Sequence, residues 1–307
     1  IRNFAQGNNP DFPESIHSGL LDLGINGLII PEEYGGLEQD LLSAAAVSET
    51  LGAGVAISPF IGSYVMAPYA IIKAGSEAQK DKYLKGIVEG SVRFGVGLTE
   101  FVASREGAKI TIESGKANGR ALFVFDANNA THFLLSDSSG QLFIIDAKTK
   151  GLDIIELTTV DKTSSFVELI IKDVEIDILV NQSNHQDLAQ RVVDLGRLLI
   201  AADSLGASQV MINKSVSYSK ERKQFGRVIG SFQAVKHMCA EMTANIEPCY
   251  SLIWYTAHCM DHIPEESQLM ASHCKAHVSE VASSIAKTAT EVHGGMGFTD
   301  ELGLHYW

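Results

Sequence analysis

Four basic side chains fall within one short stretch of an otherwise acidic chain. Lys220, Arg222, Lys223 and Arg227 lie in Tyr218–Gln233, where one helical pattern ends and another begins. An arginine at a helix end can hold a pyrophosphate through several charge-assisted hydrogen bonds. Gln224 and Gln233 add neutral donors and acceptors, and Phe225 and Phe232 add flat apolar surface. Together they suit a dinucleotide clamp. They suit equally a basic last turn that complements a helix dipole, and residue types alone leave both readings open. A second stretch, Glu291-Val292-His293-Gly294-Gly295-Met296-Gly297-Phe298, follows a long helical pattern. Its glycines would let a backbone approach a ligand closely, or would simply stop the helix. Neither GxGxxG nor a Walker pattern occurs, so a Rossmann or P-loop site is not indicated. His273 and His277 stand one helical turn apart without a third ligand, and are read as surface or interface residues rather than as a metal site.

These stretches need elements to position them. Residues 1–90 read as helices and loops. Ile30-Pro31-Glu32-Glu33-Tyr34-Gly35-Gly36 is a rigid turn, Leu41–Leu51 a helical face, and Ser76 with Gln79 a capping box for a helix carrying Tyr83, Leu84, Ile87 and Val88. Residues 91–178 switch to strands. The runs Val92–Leu98, Lys109–Glu113, Leu122–Phe125, Phe133–Leu135, Leu142–Ile145 and Phe166–Ile171 are separated by turn residues, as in a barrel or sandwich. Residues 179–307 return to the helical period. One helix is predicted over Asp187–Ser219, a second over Gln233–Cys259 with a kink near Pro248, and a third from Pro264 to Val292, stopped by Gly294-Gly295. The expected fold class is multi-domain α+β: an N-terminal helical domain, a middle β domain and a C-terminal helical bundle.

The formal net charge of −13 disfavours a nucleic-acid partner, because an acidic surface repels phosphate backbones. Apolar runs fall short of a membrane span, and no secretory signal opens the chain. Ile1 is not an initiator and His305-Tyr306-Trp307 ends a pattern in mid-stride, so further residues are expected beyond both ends. Cys239, Cys249, Cys259 and Cys274 form no CxxC pair; they are expected as reduced thiols at helix interfaces of a cytoplasmic protein.

In identity and spacing the chain resembles the acyl-CoA dehydrogenase family. Arg222–Gln233 resembles the family's R-x-x-F-G-x-x-I-x-x-x-Q, and Glu291–Phe298 its Q-x-x-G-G-x-G-F/Y. Leu23-Gly24 through Gly36 resembles L-G-x-x-G-x-x-x-P-E-x-Y-G-G, and Leu98-Thr99-Glu100 resembles L-T-E. The motifs occur in register along the whole chain. The resemblance implies a four-helix bundle at the C-terminus, a dimer or tetramer, and FAD extended between the β domain, the bundle and a neighbouring subunit. It implies that Arg222 and Gln224 contact the FAD pyrophosphate, with Phe225 and Gln233 lining the cofactor. Glu291, His293, Gly294 and Gly295 would serve the neighbouring subunit's FAD, and Thr99 would stand near the flavin ring. The implied reaction is α,β-desaturation of an acyl-CoA thioester, in which a carboxylate takes the α-proton, with electron-transfer flavoprotein or a similar acceptor as partner. An acyl-CoA oxidase or flavin monooxygenase is a sister reading on the same fold.

The chain departs from the family pattern where chemistry is concentrated. One family location for the base falls on Gly196, which has no side chain, and the other would lie beyond Trp307. Asp194 is out of phase with that helix position, and Glu301 reads as solvated, so no catalytic base is assigned. The family's T-E-P-x-A-G-S-D loop reads Thr99 to Glu106, with Phe101 for proline and Ser104-Arg105 for the Gly-Ser pair. The strand that carries Trp and Thr against the flavin reads Phe123-Val124-Phe125, and Glu291 replaces the usual Gln. These departures lead to an alternative expectation: a cofactor-sharing partner subunit of a heteromeric dehydrogenase, with the base supplied by the other chain.

Overall fold

The structure, a computed structural model, describes residues 1–102, 108–180 and 184–307. In chain order it contains helices α1 (Arg2–Ala5), α2 (Phe12–Asp22), α3 (Leu41–Gly54), α4 (Ala67–Ala74) and α5 (Glu77–Val88). Strand β1 (Phe94–Gly97) and the short helix α6 (Thr99–Val102) follow. Then come β2 (Ile110–Glu113), β3 (Lys116–Phe125), β4 (His132–Ser136), β5 (Leu142–Asp146), β6 (Leu152–Glu156), β7 (Phe166–Glu175) and β8 (Asp177–Ile178). Helix α7 (His185–Glu221), the hairpin β9 (Lys223–Gln224) and β10 (Arg227–Val228), and helices α8 (Gln233–His262) and α9 (Pro264–His293) complete the order. Ser104-Arg105, singled out in the sequence, lies outside the described residues.

Two compact units result. One comprises residues 10–40 and 57–196 and is built on an eight-stranded sheet ordered β6-β7-β3-β1-β4-β5-β8, with β2 added to β3. Its strands are antiparallel except for the parallel pair β1 and β4. Inward residues Ala121, Val124, Phe133, Leu135, Phe143 and Leu169 make one apolar cluster. Burying each large side chain of this kind contributes about 1.5–3 kcal/mol, so period-2 alternation is what fixes the register. Helix α5 is anchored at both levels. Ser76 and Gln79 form the predicted capping box, and the Gln79 amide reaches Asp177 at 2.5 Å and the Ile178 carbonyl at 2.8 Å.

The other unit comprises residues 1–9, 41–56 and 197–307. Helices α8 and α9 pack along their length through Ile246, Cys249, Ile253, Cys274, Val278 and Ile285. The four cysteines are free thiols, three of them buried, as their positions on helix faces led us to expect. Ser48 on α3 donates to the Leu199 carbonyl at 2.8 Å, and Asp261 on α8 accepts the Leu41 N–H at 3.0 Å. Helix α7 is long and apolar enough to cross a membrane by length and composition, but 67% of its apolar window is buried in the protein. It is a core helix.

Candidate functional site

The basic stretch folds as a two-residue hairpin. Gln224 pairs with Arg227 and Lys223 with Val228, which leaves Phe225 and Gly226 as the connection. Both have left-handed backbones, φ +52° and +78°, the signature of a type I′ turn. Glycine adopts this freely. Phenylalanine does so at a cost of about 1–2 kcal/mol. The strained residue is also bare: Phe225 is 92% exposed. A strained, solvent-facing aromatic makes this turn a candidate contact surface.

Around it the hairpin is firmly built. The Phe225 and Phe232 rings meet edge to face at 6.0 Å, and the Arg227 guanidinium covers the Phe232 ring at 4.0 Å. The Ile229 N–H donates to the Arg222 carbonyl at 2.8 Å, closing the loop onto the end of α7. Arg222, Gln224 and Gln233 are all exposed. Arg222, Lys220 and Lys223 have no acidic partner among the described residues. Cations without an acidic partner, amide groups and an aromatic face are thus gathered on one hairpin, a donor set chemically able to hold an anion beside a flat ring.

The glycine loop forms where α9 ends. Gly294 has φ +58° and ψ −137°, a conformation closed to residues with a Cβ, and an added Cβ there or on Gly295 would meet open space. Glu291, Gly294 and Gly295 are exposed, and Phe298 is 83% exposed. His293 stands apart from them. It is buried, its Nδ1–H donates to the Ala289 carbonyl at 2.7 Å, and its ring lies 4.7 Å from that of Tyr218. The tautomer is thereby fixed, and the imidazole faces the interior instead of the loop surface. With Lys214, Tyr218, Glu221 and Leu302 it lines an open groove of about 350 Å³.

The sheet-bearing unit holds the remaining expected residues. Thr99 begins α6, and its hydroxyl donates to the Leu122 carbonyl on β3 at 2.6 Å. Glu100 is 3% exposed; burial pushes its carboxyl above the usual range, and its Oε1 has no partner among the described residues. Phe123 sits in a β-bulge opposite β7, with φ +53° and its ring 45% exposed. Gly196 faces Met66 so closely that a Cβ would stand 3.0 Å from the sulfur. Asp194 is buried and accepts from Gln190 at 2.9 Å, and Glu301 is exposed. His273 and His277 are exposed, and the described residues contain no cluster suited to a metal ion.

Comparison with known proteins identifies the family of this frame. Residues 3–91 match the acyl-CoA dehydrogenase N-terminal domain, and residues 187–307 match the acyl-CoA dehydrogenase C-terminal domain. The chain belongs to the acyl-CoA dehydrogenase family. It is 28% identical to the caffeyl-CoA reductase-Etf complex subunit CarC of Acetobacterium woodii, over 95% of this chain and 82% of that protein. It superposes on butyryl-CoA dehydrogenase from Megasphaera elsdenii with a TM-score of 0.83 at 27% identity, covering 97% of this chain and 87% of that one. A variant of the Tcur3481-Tcur3483 steroid ACAD gives a TM-score of 0.83 at 28% identity, covering 94% and 79%. The acyl-CoA dehydrogenase fold, N-terminal helices, a middle β-sheet and a C-terminal helical domain, is that of these relatives. An acyl-CoA dehydrogenase from Bacillus anthracis, solved in complex with FAD, shares the fold with a TM-score of 0.86 at 22% identity, covering 98% of this chain and 59% of that one.

Proposed function

We propose that this acyl-CoA dehydrogenase family member is a subunit of an FAD-dependent acyl-CoA dehydrogenase, an oligomer that desaturates an acyl-CoA thioester at its α,β bond. The reading divides the chain at 1–90, 91–178 and 179–307. The observation that carries it is the exposed, strained Phe225 on a hairpin bearing Arg222, Gln224 and Arg227. Arg222 and Gln224 would hold the pyrophosphate of FAD, and Phe225 and Gln233 its apolar surface. Glu291, Gly294 and Gly295 would present backbone and carboxylate to a neighbour's cofactor, with His293 supporting the loop and Tyr218 from beneath. When bound, FAD supplies the two-electron acceptor for the β-hydride; the protein supplies orientation and electrostatics.

The α-proton needs a carboxylate within reach, partly desolvated so that its pKa suits the task. Gly196 cannot act so, and Met66 fills the space beside it. Thr99 has its hydroxyl directed to a backbone carbonyl, and β3 carries Phe123-Val124-Phe125 where the family resemblance implies a Trp and a Thr. A second reading, favoured by Gly196 and by Phe123-Val124-Phe125, is a cofactor-sharing subunit in a heteromer whose other chain carries the base; a carboxylate at the family's other base position, beyond Trp307, would return the base to this chain. The paired names of the Tcur3481-Tcur3483 enzyme and the complex named for CarC are precedents for multi-chain assemblies. An electron-transfer flavoprotein is the proposed acceptor, and the cytoplasm the proposed compartment.

The test is purification of the chain alone and with its co-expressed partner, followed by anaerobic addition of acyl-CoA. The expected outcome is flavin held by the pair and bleached only in the pair. Flavin bleached by acyl-CoA in the chain alone would overturn the non-catalytic reading and leave a self-sufficient dehydrogenase. Protein that never binds FAD, alone or paired, would overturn both. Rapid reaction of the reduced flavin with oxygen would move the reading to an oxidase or monooxygenase.

A further inference from the structure

The two stretches proposed to hold the cofactor follow different helices, α7 and α9. Each is fastened to its own helix end. After α7, the Arg222 N–H donates to the Tyr218 carbonyl at 2.8 Å, and the Ile229 N–H returns to the Arg222 carbonyl at 2.8 Å. Gly230 then passes so near the last turn that a Cβ would stand 2.8 Å from the Ser219 carbonyl oxygen. After α9, the Gly294 N–H donates to the Glu291 carbonyl, and the Thr299 N–H to the Met296 carbonyl at 3.1 Å. Gly297 lies against the same helix, where a Cβ would stand 2.5 Å from the Thr290 carbonyl oxygen. Each stretch therefore moves with its helix end, and their mutual placement depends on how the two ends meet.

They meet through two rings. The Tyr218 and His293 ring centroids are 4.7 Å apart, with planes tilted by 37°, a separation at which aromatic pairs attract. Both residues occupy joints. Tyr218 stands one helical turn before Arg222 and supplies the carbonyl that Arg222 bonds. His293 is the last residue of α9, immediately before Gly294, whose φ is +58°. It is 3% exposed and its Nδ1–H donates to the Ala289 carbonyl at 2.7 Å, so the ring is fixed by its own helix. The open groove lies beside the rings. Ser217, Tyr218 and Glu221 line it from α7, and His293 and Leu302 from the other side. The ring pair bridges the two ends where the groove leaves them apart.

We infer that Tyr218 and His293 are a positioning pair that fixes the Arg222 hairpin and the Gly294-Gly295 loop in one relative placement. This role rests on the cofactor reading proposed above. Neither ring touches the cofactor in it; each acts through the stretch that follows. Groups that are ordered before a ligand arrives bind it more tightly, because their ordering does not then oppose binding.

The experiment compares amide hydrogen exchange and FAD affinity in the full chain with its co-expressed partner, for wild type, Tyr218→Leu, His293→Leu and Tyr218→Phe. Loss of the ring pair should be felt across it. Tyr218→Leu, on α7, should speed exchange of the Gly294 and Thr299 amides by about 2- to 12-fold, the range that one aromatic pair represents. His293→Leu, on α9, should speed exchange of the Ile229 and Phe232 amides by a similar factor. Both should weaken FAD binding to a comparable extent, and Tyr218→Phe, which keeps the ring, should match wild type in both readouts. Exchange that quickens only in the stretch next to the substituted residue would overturn the pair, because local packing alone predicts that pattern. FAD affinity lost in Arg222→Ala but unchanged in both leucine variants would overturn the positioning role and leave the cofactor reading standing. Affinity unchanged in Arg222→Ala as well would overturn the cofactor reading, and this role with it. If one leucine variant does not fold, the other carries the same test from the opposite helix.

Discussion

Gly196 on α7 lies directly against Met66: a Cβ added to the glycine would stand 3.0 Å from the methionine sulfur and 3.1 Å from its terminal methyl. The helix backbone and the π-helical turn Phe60–Met66 approach as closely as glycine permits. Replacing glycine by alanine in a helix usually stabilises by about 1 kcal/mol. Here overpacking, typically 1–3 kcal/mol, acts the other way and should win. Gly196→Ala is expected to lower the Tm, and Gly196→Glu to lower it further. Adding Met66→Ala to Gly196→Glu should recover part of the loss, because it vacates the contested space. Thermal unfolding of the single and double variants reads the coupling; equal losses with and without Met66→Ala would show that the contact is not what opposes the side chain.

The hairpin predicts two effects of opposite sign at one position. Phe225→Asn places the favoured residue for a type I′ turn before Gly226, and should raise stability by about 1 kcal/mol through relief of strain. The same change removes the exposed ring and should reduce flavin retention. Arg222→Ala should also reduce flavin retention while leaving the Tm unchanged, since its side chain is exposed. Unfolding curves and flavin absorbance of the same preparations separate the two. Unchanged flavin occupancy in both variants would remove the hairpin from the cofactor site.

The division between legible and illegible features is itself physical. The long helices were readable because the 3.6-residue period and the stops at Pro264 and Gly294 are written in residue type. Strand β6 (Leu152–Glu156) was not read, because four of its five residues are exposed and it lacks a buried alternation. The hairpin β9–β10 was missed because Phe225-Gly226 is not the usual Asn-Gly signal. The π-turn was invisible because Phe60–Met66 is apolar, and apolarity does not report which carbonyl an N–H chooses. At the site, the types of Arg222, Gln224 and Gln233 suggested anion binding. Their shared exposure, the interior position of His293 and the carbonyl partner of Thr99 all depend on tertiary contacts that spacing does not encode.

The capping box on α5 offers a graded test. Ser76→Ala removes one capping bond, with the Gln79 N–H at 3.2 Å, and should cost about 1 kcal/mol. Gln79→Ala removes more. Its side chain accepts the Ser76 N–H at 2.9 Å and donates to both Asp177 and the Ile178 carbonyl, so two half-buried acceptors each lose a partner, at about 1 kcal/mol each. The expected order of midpoints in urea is wild type, Ser76→Ala, then Gln79→Ala. Equal midpoints for the two variants would mean that the contacts to Asp177 and Ile178 add no stability.

The acid side of the stability profile should be set in part by the buried His17 and the half-buried His132. His17 is 2% exposed, and desolvation followed by Arg93 lowers its pKa; desolvation also lowers that of His132. In the unfolded chain each titrates near pH ~6.5, so between that value and the depressed folded value the unfolded state binds more protons. Stability from these groups is therefore fully present above about pH 6.5 and is lost as pH falls through the folded values. His17→Gln should flatten part of this loss, while lowering stability at pH 8 because Tyr64 loses its imidazole partner. His132→Gln should flatten a separate part, and the double variant the sum. Unfolding midpoints between about pH 5 and 8 measure the three slopes. Wild-type and His17→Gln slopes that coincide would show that protonation of His17 does not oppose folding.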